Sequence, residues 1–81
     1  MGNEIKLALT EEEQAVLDWQ YRMYGGFKKA LWEAISLADN TNLALLAKSF
    51  PVDVRGYQKY TSEKGWWPMV QQKAKACGWA I

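Results

Sequence analysis

The densest grouping of residues able to hold a ligand lies in the second half of the chain: Arg55, Tyr57, Lys59, Tyr60, Lys64, Trp66, Trp67 and Lys73. Arg55 and Lys59 are four apart, so on a helix they share one face. Cationic groups beside flat rings can hold a phosphate and stack a base. The chemistry fits a nucleotide or another phosphate-bearing small molecule, or a single-stranded nucleic acid. The same pattern also fits a solvated basic face at the edge of an aromatic core.

Catalytic chemistry finds less to work with. The chain has no histidine, which removes Ser–His and Cys–His nucleophile pairs. Cys77 is the sole cysteine, so no intramolecular disulfide can form, and its place near a helix end suits a small apolar filler. A zinc cage would need carboxylates for nearly every ligand, which is a poor donor set. No metal and no other cofactor is expected. Gly25-Gly26-Phe27-Lys28-Lys29 puts glycines before lysines but lacks the spacing and the preceding strand of a phosphate loop. The cluster Glu11-Glu12-Glu13 is explained by helix capping. No set of residues fills the usual catalytic roles, and the chain reads as a non-enzyme.

The elements that must position these groups are helical. Thr10 can cap a helix start, and Glu13 three residues on completes a capping box, with Leu9 as a partial staple. Apolar residues then recur at Val16, Trp19, Met23, Phe27, Ala30, Ala34 and Leu37, in steps of three and four. The period passes Gly25-Gly26 in phase. It predicts one long helix over 11–38, kinked or closely approached at the glycines; two helices with a turn there are the alternative.

Asp39-Asn40-Thr41-Asn42 marks a turn. Shorter helices are expected over 42–50, 51–61 and 68–76, the last two opened by Pro51 and Pro68 and the third stopped by Gly78. Gly56 within the second of these suggests a close packing contact. The expected fold is all-α: a single domain over 1–81, with an arm over 1–9 (Ile5–Leu9 able to extend) and a tail over 78–81.

Eighty-one residues bury only a modest core, and with no disulfide or metal a partner subunit is the remaining common device, so a homo-oligomer is expected. Five tryptophans favour interfaces and pockets as well as cores. Net charge is +1, but residues 1–40 hold four cations against seven acids and residues 41–81 six against two. That asymmetry suits head-to-tail contacts or an anion site in the second half. No apolar run approaches the length of a membrane span, the start lacks a signal-peptide pattern, and Lys6 spoils a myristoylation pattern begun by Gly2. A cytoplasmic protein is expected.

A helix-turn-helix reading of the segments around Phe50-Pro51 is weakened by Val52, Asp53 and Val54, where base-reading groups belong, and by the low net charge. Duplex DNA is therefore disfavoured as a partner.

The stretches Leu9-Thr10-Glu11-Glu12-Glu13, Gly25-Gly26-Phe27, Leu31-Trp32-Glu33-Ala34-Ile35, Ala38-Asp39, Asn42-Leu43, Phe50-Pro51, Gly56-Tyr57 and Gly65-Trp66-Trp67 resemble small helical proteins encoded by bacteriophages and prophages. The resemblance carries no assigned activity and no functional residue. It implies a host-cell setting and a small binding protein, with anti-defence roles among those expected. One such role is sequestration of a nucleotide-like immune signal at an oligomer interface by the basic–aromatic cluster. Another is inhibition of a host protein through a Trp-rich surface. A small DNA-binding regulator stands behind both.

Overall fold

Thr10 opens the first helix with a complete capping box. Its hydroxyl accepts from the Glu13 amide at 3.1 Å, and the Glu13 carboxylate accepts from the Thr10 amide at 2.8 Å. Two orphan donors of the helix start are thereby satisfied. The computed structural model describes residues 9–79, so the expected Ile5–Leu9 arm and the residues after Trp79 lie almost wholly outside it. The regular elements among the described residues are all helices: α1 (Glu11–Gln20), α2 (Gly26–Leu37), α3 (Asn40–Ser49), α4 (Pro51–Ser62) and α5 (Trp66–Ala76).

The long helix expected over 11–38 is two helices. The break falls before the glycines, at a Schellman turn closing α1. Met23 N–H donates to Asp18 O at 2.7 Å, Arg22 N–H donates to Trp19 O at 3.3 Å, and Arg22 takes the left-handed conformation between them, with φ 58°. Gly25 then caps α2 with an extended backbone and no side-chain hydrogen bond. Neither Gly25 nor Gly26 has a positive φ, and a Cβ on either would meet nothing within 4 Å, so neither is a packing notch. Phase alone misled because the residues after the break form a helical stripe of their own.

The other boundaries move less. Asp39 caps α3, accepting from Asn42 N–H at 2.8 Å. Phe50 alone joins α3 to α4, which Pro51 opens as expected. α5 begins at Trp66, with Gly65 at φ 82° before it. Pro68 is thus the third helical residue rather than the first, still within the turn whose amides have no intrahelical acceptor.

α4 is the hub. It packs on α1 most extensively, then on α3, α2 and α5. Gly56 makes the α1 contact possible: a Cβ there would lie 3.1 Å from Val16 Cγ2 and 3.2 Å from the Glu12 carbonyl oxygen. One core cluster joins Val16, Leu17, Trp32, Trp66, Val70 and Ala74; a second joins Leu31, Ile35 and Val54, with Leu43, Leu46 and Ala47 of α3 against it. Leu9 packs on the first cluster, as a staple would. No helix among the described residues is long and apolar enough to cross a membrane.

Candidate functional site

The fold divides the basic–aromatic cluster between ion pairs, the core and open surface. Arg55 is exposed, but its Nε donates to Glu12 Oε2 at 2.9 Å. Lys73 donates to Glu13 Oε1 at 2.8 Å. Trp66 is buried in the core, and Tyr57 packs against both core clusters. Lys59 is half-buried and Lys64 exposed. Only Tyr60 and Trp67 meet as a ring pair, edge to face at 5.6 Å. The charge asymmetry between the halves is in part absorbed within the chain, because the acids that open α1 pair with cations of α4 and α5. The Arg55 hydrogen bond, with attraction from Lys59, holds the Glu12 carboxyl below its ordinary value. Burial acts to raise Glu13, but hydrogen bonds from Lys73 and the Thr10 amide outweigh it, and this carboxyl is also lowered.

A third pairing is inward-facing. Asp53, in the first turn of α4, is buried and accepts from Lys28 Nζ at 2.9 and 3.0 Å and from Trp32 Nε1 at 3.2 Å. This network fastens α2 to α4. It turns the end of α4 that a DNA-reading helix would present back into the protein.

Two surface features were not singled out by sequence reasoning. The first is the outer face of α2. Ala30 and Ala34 are exposed, Phe27 is 65% exposed and Leu37 84% exposed. The intrachain core takes Leu31, Trp32 and Ile35 instead. Phe27, Ala30, Ala34 and Leu37 follow the three-four-three spacing of a helix-packing seam. Beyond Leu37 the apolar surface continues into a groove of about 410 Å³ between α2 and α3, lined among others by Leu45, Leu46 and Phe50. Leu45 stands 56% exposed at this groove.

The second feature is a cleft of about 410 Å³ where α1 turns into α2, lined by Trp19, Arg22, Tyr24, Lys29 and Glu33. Trp32 stacks on Trp19 at 4.6 Å with an 18° interplanar angle, and Tyr60 meets the Trp19 ring edge-on at 5.2 Å. No sequence signal marked this cleft, since the helix end at Arg22 and its left-handed backbone show only in the fold. Cys77 is exposed at the end of α5 rather than serving as a core filler. Among the described residues, no group of three or more Cys, Asp or Glu side chains is placed to hold a metal ion.

No known protein family, curated protein or solved structure matches this chain.

Proposed function

We propose that this chain is a non-enzymatic binding protein that works by helix docking, and that the outer face of α2 is its docking surface. One observation carries the reading: an apolar seam of helix-packing spacing that, apart from the ring contact of Phe27 with Phe50 at 5.7 Å, the described residues leave largely uncovered. Scattered exposed apolar residues need no explanation, but a continuous stripe with an adjoining groove does.

The occupant we favour is a second copy. The seam reads large-small-small-large. An antiparallel copy of α2 crossing at the level of position 32 sets Phe27 opposite Leu37 and Ala30 opposite Ala34, so both copies use one patch. The alanines allow close approach at the centre, and Phe27 of the second copy reaches the mouth of the α2–α3 groove. A host protein offering an apolar helix, as the resemblance to phage proteins suggests, would use the same seam rather than Trp66 and Trp67.

One helix face is small beside the roughly 800 Å² per partner of stable complexes, so association in the micromolar range is expected. Sedimentation velocity from about 10 to 300 µM brackets that range. The reading predicts a concentration-dependent dimer, lost in Ala34→Glu with an unchanged helical spectrum. Ala34 is exposed in the single chain, so the substitution leaves the fold alone. A wild-type monomer throughout, or a dimer indifferent to Ala34→Glu, overturns self-pairing.

A further inference from the structure

Two helices end in the same Schellman geometry, with different residues at the left-handed position. α5 ends with Gly78 at φ 99°, its amide donating to Lys75 O and the Trp79 amide to Ala74 O. α1 ends with Arg22 at φ 58°. Glycine takes this conformation without strain, whereas a side chain is disfavoured there. An arginine in a glycine position therefore points to a use for its side chain.

Arg22 lines the α1–α2 cleft, and so does Lys29 from the first turns of α2. Among the described residues neither is ion-paired or hydrogen-bonded through its side chain, whereas Arg55, Lys73 and Lys28 are each paired. Trp19 lines the same cleft. Trp32 is stacked on it, and Tyr57 and Tyr60 pack against it, so a flat ring laid on the part that the cleft exposes would extend an existing aromatic cluster. Guanidinium and ammonium groups bind phosphate oxygens, and stacking holds the base. Glu33 adds a carboxylate at the cleft. It would accept from ribose hydroxyls and repel a second phosphate.

We infer that this cleft is a binding site for a nucleoside monophosphate: Trp19 stacks the base, Arg22 and Lys29 hold the phosphate, and Glu33 limits the ligand to one phosphate. On α2, Lys29 lies off the Phe27–Leu37 seam, whereas Glu33 borders it, one helical step from both Ala30 and Leu37.

The test is calorimetric titration of AMP into the whole protein, with adenosine, inorganic phosphate, ATP and an oligo(dA) strand in parallel. Saturable AMP binding is expected, with adenosine and phosphate each at least about tenfold weaker and neither ATP nor the strand tighter. Arg22→Gly separates support of the backbone from contact with ligand. It should melt at the same or a higher temperature yet weaken AMP at least about tenfold, and Lys29→Gln should weaken AMP without moving the melting temperature. Absence of saturable AMP binding at millimolar concentration overturns the site. So does an Arg22→Gly variant with unchanged affinity, or phosphate binding as well as AMP. Tighter binding of the strand overturns the monophosphate assignment.

Discussion

The Nζ of Lys73 lies 2.8 Å from Oε1 of Glu13, 60 positions away, and ties α5 to the first turn of α1. The same carboxylate oxygen accepts from the Thr10 amide. Helix initiation and the docking of the last helix thus share one acceptor. Lys73→Ala leaves a buried carboxylate with its capping bond alone and should cost on the order of 2 kcal/mol. A double-mutant cycle with Glu13→Gln, followed by chemical denaturation, should return a clear coupling energy.

Acid should weaken the fold through the same contacts. Glu12 and Glu13 both titrate below their ordinary value of 4.5 in the folded chain. Between the lowered folded values and 4.5 the unfolded chain binds more protons, so stability rises with pH in that window. The contribution is complete above about pH 4.5 and is lost as pH falls through the folded values. Thermal melts from pH 6 to pH 3 should show this decline, and Glu12→Gln with Glu13→Gln should flatten it.

Glycines should divide by position. Gly56→Ala drives a methyl toward the Glu12 carbonyl and the buried Val16 side chain, at an expected loss of about 1 to 3 kcal/mol. Gly26→Ala meets nothing and sits in the first turn of α2, where it should gain about 0.5 to 1 kcal/mol. Urea midpoints of the two variants should move in opposite directions.

Removing Asp53 should be more damaging than removing Lys28. Asp53→Ala strands the buried Trp32 indole N–H and should cost about 2 to 3 kcal/mol, whereas Lys28→Ala leaves that hydrogen bond in place and should cost about 1 kcal/mol. Loss of the Trp32 contribution to near-ultraviolet dichroism should accompany the first change only.

Much of the local structure was legible because it is built from neighbours in sequence. The Thr10–Glu13 box, the Pro51 start and the close approach at Gly56 all follow from residue type and spacing. The α1–α2 break was hidden because Phe27, Ala30, Ala34 and Leu37 keep the phase of Val16, Trp19 and Met23. A helical period cannot say whether its partner lies in the same chain. The surroundings of the basic–aromatic cluster were hidden for a related reason. Arg55 and Lys73 looked available until the fold set them against Glu12 and Glu13, contacts spanning 43 and 60 positions that no local rule anticipates. Arg22 went unremarked because left-handed backbone is invisible in a residue not suited to it.

α3 contributes no fully buried side chain, relying on half-buried Leu43, Leu46 and Ala47 and on its Asp39 cap. Its opening should cost less than global unfolding, so its amides should exchange with solvent through a local event while those of α4 wait for the whole molecule. This least anchored helix is also one wall of the α2–α3 groove. The groove therefore has an adjustable wall facing a rigid one, and its width can be set by whatever side chain enters it.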